Sequence, residues 1–245
     1  MAATVSVIVC AAGASSRFGS KKKKTFTDVA GRAVALRSVE IFANRDDVKQ
    51  IILAIAPDDE EMAKIKWGPS LKFHGVKICH GAKERSQTVA NALELVKDDV
   101  DLVAVHDAAR CCVTSESIDA VFAEAGKNGA AILAAPVTAT LKQVRDKTIE
   151  KTVDRKNIYE AQTPQVFSRA LIKKAYAEIE KLDKETISDD AQLIEALGHK
   201  VSVVETDSTN IKITYKSDIA IAEAILKAKE KKPARPLGPY EEAQW

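Results

Sequence analysis

Three stretches of this 245-residue chain carry the residue types needed to bind and activate a polyanion. The first is Ala11-Ala12-Gly13-Ala14-Ser15-Ser16-Arg17, which runs through Gly19 and a lysine run to Lys24. Small side chains leave backbone N–H groups open to a ligand, and Arg17 and Lys24 add fixed positive charge, so the chemistry is phosphate binding. It is not a P-loop, because five residues rather than four separate Gly13 from Gly19 and Ser20-Lys21 follow in the reverse of the required order. Nor is it a dinucleotide fingerprint, since Ser15 stands at the second glycine position. Taken singly, Lys21, Lys22 and Lys23 read as a solvated charge run.

The second stretch is Val103-Ala104-Val105-His106-Asp107-Ala108-Ala109-Arg110, with an acidic residue closing an apolar strand. One carboxylate there suffices for Mg²⁺, which keeps several waters and bridges phosphate oxygens; the same residue type also serves as a helix N-cap. A Cys-His mechanism using His106 with Cys111 or Cys112 is the competing chemistry, but it leaves the cationic loop without a role. The third is Asn210-Ile211-Lys212-Ile213-Thr214, read as a short strand whose alternation turns Lys212 away from its apolar neighbours. Thr152-Val153-Asp154-Arg155 and Ala161-Gln162-Thr163-Pro164-Gln165 form a fourth group.

The elements that must position these residues follow from periodicity. Strand-like runs occur at Val5–Val9, Gln50–Ala56, Val76–Cys79, Leu102–Val105, Ala130–Ala135, Lys200–Glu205 and Ile211–Thr214. Between them lie helical stripes such as Val89/Ala92/Leu93/Val96, Ile118/Val121/Phe122/Ala125 and Ile221/Ala224/Ile225/Ala228. Buried strands alternating with amphipathic helices give an α/β fold, a mostly parallel sheet between helices. The alternation breaks from Val137 to Arg155, where two period-two halves flank Arg145-Asp146-Lys147 and predict a β-hairpin that protrudes to meet a second subunit. Residues 1–230 are expected to form one domain with residues 137–155 as its arm, and residues 231–245, holding Pro233, Pro236 and Pro239, a flexible tail.

Together, Ala11-Ala12-Gly13 with Arg17 and Lys24, Gly81-Ala82-Lys83-Glu84-Arg85-Ser86-Gln87-Thr88, Val105 to Arg110, Thr152 to Arg155, Thr163-Pro164-Gln165 and Asn210 to Thr214 resemble the 2-C-methyl-D-erythritol 4-phosphate cytidylyltransferases of non-mevalonate isoprenoid synthesis, in the family's order over roughly residues 4 to 228. The resemblance implies a three-layer, Rossmann-like nucleotidyltransferase fold. It implies transfer of CMP from CTP to methylerythritol phosphate with release of pyrophosphate, in a Mg²⁺-dependent homodimer joined through hairpin arms. By position, it implies that Ala11, Ala12, Gly13, Ala82, Lys83, Thr88 and Ala108 bind CTP. Arg17, Lys24 and Lys212 would contact the triphosphate, and Asp107 would hold Mg²⁺ and place the acceptor. Arg110, Thr140, Arg155 and Thr163 would grip the acceptor, partly from the other subunit. The sequence departs from the family at Lys23-Lys24-Thr25, where Pro-Lys-Gln is usual, at Ala82, where a second glycine is usual, and at Cys111-Cys112, where Pro-Cys is usual.

Composition excludes several alternatives. With 37 Lys+Arg against 35 Asp+Glu, the chain lacks the wide basic field of a nucleic-acid-binding module. A P-loop-like NTP hydrolase is disfavoured by the glycine spacing, whereas ribitol 5-phosphate cytidylyltransferase, which is similar in fold and loop chemistry and differs mainly in its acceptor, stands as the alternative function that the sequence leaves open. No apolar stretch approaches the ~20 residues of a membrane span. Met1-Ala2-Ala3-Thr4 leads into Val5 without basic charge, so no secretory signal is read and a cytoplasmic protein is expected. Cys10, Cys79, Cys111 and Cys112 have no zinc or CxxC spacing and read as free thiols.

Overall fold

The computed structural model describes residues 3–19, 22–179 and 187–230; the proline-containing tail lies outside them. In β1 (Val5–Cys10), Val5, Val7 and Val9 pack to one side and Ile8 to the other, and all four are fully buried. A strand buried on both faces belongs at the centre of a covered sheet. After a small antiparallel pair, β2 (Asp28–Val29) and β3 (Arg32–Ala33), the chain alternates. The elements are α1 (Val34–Ala43), β4 (Val48–Ile55), α2 (Glu60–Phe73), β5 (Lys77–His80), α3 (Arg85–Leu93), β6 (Leu102–Asp107), α4 (Ser115–Asn128) and β7 (Ala130–Pro136). The hairpin strands β8 (Leu141–Arg145) and β9 (Thr148–Val153) precede β10 (Tyr159–Ser168), α5 (Arg169–Ala177), α6 (Asp190–Ala196), β11 (Ser202–Glu205) and α7 (Asp218–Glu230).

The main sheet has the order β11-β7-β10-β6-β1-β4-β5, and β10 alone runs antiparallel to its neighbours. Residues of α1, α2 and α4 bury against one face, with Leu36, Phe42, Trp67 and Phe122 in that core. Those of α3, α5 and α6 cover the other through Val89, Leu93, Ile172 and Leu193. This is the expected α/β layering. From β1 the chain builds outward to β4 and β5, then returns to place β6 on the opposite side of β1. That reversal opens a crevice beyond the carboxyl ends of β1 and β6, where ligands bind in open α/β sheets. The last residues of the two strands, Cys10 and Asp107, are register partners at its floor.

The hairpin forms its own two-stranded sheet, and Asp146 and Lys147 at its tip both have positive φ (49° and 65°), as a two-residue hairpin turn with matched twist requires. Two expectations are corrected, and one strand appears where none was read. Ile211–Thr214 is not a strand: its backbone is tied by the Ile213 N–H to the Ala109 carbonyl, and the buried Ile213 side chain gives the alternation without a ladder. The inward face of α7 is Ala222, Ile225 and Leu226, leaving Ile221 half exposed, because the helix packs on a third cluster containing Phe18, Val29 and Ala109 rather than on the sheet. The stretch around Thr163-Pro164-Gln165 belongs to a central strand, β10; its register with β7 is irregular between Ala161 and Gln165, which spares Pro164 a ladder hydrogen bond it cannot donate.

Candidate active site

Four segments close around the crevice: the loop after β1, the turn beginning at Lys24, the loop before α3, and the approach to α7, with Asp107 at the floor. The first loop is exposed along Gly13 and Ala14, and it bends through Ser15, whose φ of 55° is left-handed, and Gly19 at 67°. Ser15 Oγ accepts the backbone N–H of Lys24 at 3.3 Å, coupling loop to turn. The turn is fixed from below, where Phe26 is buried and stacks on Trp67 at 4.2 Å between ring centroids. Its lysines diverge: Lys22 lies 3.5 Å from Asp28, Lys23 is 2.8 Å from Asp59, and Lys24 lines the crevice.

Lys24 Nζ donates to the Ile213 carbonyl at 2.9 Å. Burial, then the nearby charge of Lys212, lowers its pKa below the usual lysine value. Lys212 Nζ lies 2.6 Å from Asp107 Oδ2, and Arg85 Nε lies 3.2 Å from Oδ1. Burial alone would raise the Asp107 pKa, but Arg85 and then Lys212 hold this carboxyl well below the usual range, so it is ionised. Among the described residues it is the one carboxylate lining the crevice, and they contain no cluster of three or more His, Cys, Asp or Glu able to hold a metal. The Cys10 thiol beside it is pushed up to about 12 by burial and stays neutral.

The structure brings Ala11, Ala12, Gly13, Arg17, Lys24, Ala82, Lys83, Thr88, Asp107 and Lys212 to one crevice. Thr88 organises it, since its hydroxyl accepts the Ala82 N–H at 2.9 Å. Gly81 permits the close approach of the two loops, for a Cβ there would lie 2.4 Å from that of Ala12. Other expected residues lie elsewhere. Ala108 is fully buried, and Ala109 lines the crevice in its place. Arg110 donates to the carbonyls of Asn210 (2.7 Å) and Ala161 (3.2 Å). The Thr163 hydroxyl accepts the Asp107 N–H at 3.0 Å, which fixes the end of β6. Thr140 and Arg155 are exposed at the base of the hairpin, where Arg155 donates to the Thr138 carbonyl. His106 packs edge-on against Phe42 and sits 3.1 Å from Thr163 Oγ1, while Cys111 and Cys112 are buried free thiols in the third cluster, so no Cys-His pair forms there. Sequence reasoning gave no role to Arg85, although it stands inside the Gly81–Thr88 stretch, and missed its second partner Asp190, 2.7 Å from Nη2, which no local pattern marks.

The family model for 2-C-methyl-D-erythritol 4-phosphate cytidylyltransferase matches residues 5–228. The enzyme of that name from Rhodopirellula baltica is 41% identical over 237 residues, covering 92% of this chain and 96% of its own. The chloroplastic one from Oryza sativa is 33% identical, covering 92% of this chain and 75% of its own. Among solved structures, the 4-diphosphocytidyl-2C-methyl-D-erythritol synthase of Anaerococcus prevotii superposes with a TM-score of 0.78 at 28% identity, over 92% of this chain and 97% of that one. The Thermus thermophilus cytidylyltransferase gives 0.74 at 30% identity, over 93% and 100%. A crevice of this chemistry, on this sheet order and with these relatives over nearly the whole chain, has one family to which it answers: the chain belongs to the 2-C-methyl-D-erythritol 4-phosphate cytidylyltransferases.

Proposed function

We propose that Arg17, Lys24, Lys212 and Asp107 are the catalytic group of a reaction whose course follows from the family. The enzyme transfers CMP from CTP to 2-C-methyl-D-erythritol 4-phosphate, giving 4-diphosphocytidyl-2-C-methyl-D-erythritol and pyrophosphate. The observation that carries the assignment is the convergence of Arg17, Lys24 and Lys212 with one ionised carboxylate on the crevice beyond β1 and β6. The attacking group is a phosphate oxygen, anionic at neutral pH, so no side chain has to remove a proton. It bonds to the α-phosphorus of CTP as the bridging oxygen to the β-phosphorus leaves with pyrophosphate. What the protein supplies is alignment and countercharge. Arg17, Lys24 and Lys212 meet the triphosphate, and the backbone of Ala11–Gly13 with Ala82, Lys83 and Thr88 surrounds the base and ribose.

Asp107 fits a Mg²⁺ that takes most of its ligands from phosphate oxygens and water, because it is ionised and faces the crevice. Bound there, Mg²⁺ supplies additional positive charge to the phosphate oxygens. The acceptor is gripped by Asp107, whose strand end Thr163 fixes, and by Arg110, together with Thr140 and Arg155 from a second subunit. Support for a homodimer is the hairpin itself, which exposes Val144 and Ile149 on a separate sheet. In this reading residues 1–230 are one catalytic domain working in the cytoplasm without nucleic-acid or membrane partners. Among the described residues no helix is long and apolar enough to cross a membrane.

The test is pyrophosphate release from CTP, UTP, ATP and GTP, each with methylerythritol phosphate and with ribitol 5-phosphate. CTP with methylerythritol phosphate is expected to exceed every other pair, since a pocket of backbone groups can match one pyrimidine's donor and acceptor edge. Comparable turnover with UTP, or faster turnover with ribitol 5-phosphate, refutes it.

A further inference from the structure

The Asp107 carboxylate has two kinds of partner. Lys212 meets Oδ2 from a loop and keeps a side chain 40% exposed. Arg85 meets Oδ1 from the first residue of α3 and is itself held, with Nη2 2.7 Å from Oδ2 of Asp190, whose side chain is 0% exposed. Asp190 Oδ1 accepts the Tyr176 hydroxyl at 2.6 Å. The N–H groups of Asp190 and Ala191 donate to Gln165 Oε1 at 3.0 and 3.1 Å, and Gln165 Nε2 donates to Asp189 Oδ2 at 2.8 Å, which pins the start of α6 to β10. Burying a carboxylate is costly unless it is paired and hydrogen-bonded. Here the pairing makes a rigid anionic socket for one guanidinium that opens on the active-site crevice.

We infer that Arg85, seated on Asp190, is a positioning residue that fixes the Oδ1 edge of Asp107, so that the Oδ2 edge stays turned to the crevice when Lys212 leaves it for the triphosphate. The inference rests on the reading of Asp107 and Lys212 given above. Lys212 is the exchangeable partner because it is half exposed on a loop without ladder bonds; Arg85 is the permanent one because its other end is anchored. Arg85 meets the two carboxylates through two nitrogens of one rigid plane, Nε and Nη2, a fixed spacing that the single ammonium nitrogen of a lysine on a flexible stem does not reproduce.

The test uses the full-length enzyme as Arg85→Lys, Asp190→Asn, Asp107→Asn and the Arg85→Lys/Asp107→Asn double variant, read by melting temperature, CTP binding without acceptor, and kcat and KM. Arg85→Lys and Asp190→Asn are each expected to bind CTP within about threefold of the parent and to lose about tenfold in kcat, while Arg85→Lys costs less than about twofold further in the Asp107→Asn background. Unchanged kcat in the two single variants, or losses that multiply fully in the double variant, overturns the inference. If Arg85→Lys does not fold, Asp190→Asn, which keeps the size of the side chain and an acceptor for Tyr176, carries the same comparison. Parental kcat in Asp107→Asn refutes the catalytic reading of Asp107 and the positioning role with it, a result distinct from a silent Arg85.

Discussion

Lys24 Nζ donates to the carbonyl oxygen of Ile213, the residue after Lys212, across 189 positions of sequence. This bond brings two lysines from opposite ends of the chain to one crevice. Like charges held this close repel, and the repulsion is relieved when a polyanion enters between them, which in the proposed function is the triphosphate and the charge that builds as pyrophosphate departs.

Lys24→Ala and Lys212→Ala are therefore expected to lower kcat by about 10² or more with smaller effects on CTP binding, and Arg17→Ala to behave likewise. Lys22→Ala and Lys23→Ala should stay within about threefold of the parent, because those side chains turn to Asp28 and Asp59. Steady-state kinetics with titration calorimetry for CTP decides it; an equal loss at Lys22 would show that the loop's summed charge, not Lys24, acts.

Gly81→Ala tests the approach of the two loops that line the crevice. The new methyl would meet the Cβ of Ala12 at 2.4 Å and Thr88 Cγ2 at 2.9 Å, so one loop must move. Overpacking of about 1–3 kcal/mol, directed at a binding loop, should weaken CTP binding about tenfold or more. Calorimetry showing parental affinity would mean that the loops yield without cost.

If Arg155 acts across a dimer interface, subunits carrying Arg155→Ala and Asp107→Ala should complement each other. Each homodimer is expected to be nearly inactive. Their heterodimer holds one site with both defects and one with neither, so activity should recover toward half of the parent. Two inactive variants that stay inactive after verified subunit exchange would place Arg155 and Asp107 in the same subunit's site.

His106 supplies a pH prediction. It is fully buried, and burial pushes its pKa down to about 4 from an ordinary 6.5. Between these values the unfolded chain binds a proton at this ring and the folded chain does not, so stability rises with pH across the window, by about 3 kcal/mol in all. The loss on acidification thus begins below pH 6.5 and is complete near 4. Asp107, depressed in the folded state, contributes stability above about 3.8 that is lost only below it. Urea unfolding of the parent and of His106→Gln at several pH values between 4 and 7 should show the parent's slope flattened in the variant; parallel slopes would exclude His106 as the source.

The sequence by itself determined most of the layers, because hydrophobic period is a local property: Val5/Val7/Val9 and Ile118/Val121/Phe122/Ala125 are buried as their spacing requires. It also determined that a small-residue loop with Arg17 and Lys24 follows a buried strand, and that an acidic residue ends another. Only the tertiary structure decided which of Lys22, Lys23 and Lys24 enters the crevice, since that depends on Asp28 and Asp59 claiming Lys22 and Lys23. Pro164 concealed β10, because a proline argues against a central strand until an irregular register excuses it. Ile211–Thr214 has a strand's alternation but no neighbour to complete a ladder, and the face of α7 is set by the cluster it packs on rather than by its own apolar stripe. The pairing of Arg85 with Asp107 and Asp190 was legible nowhere in the chain. Which ions pair is fixed by distances between elements remote in sequence, and those exist only once β6, α3 and α6 have met.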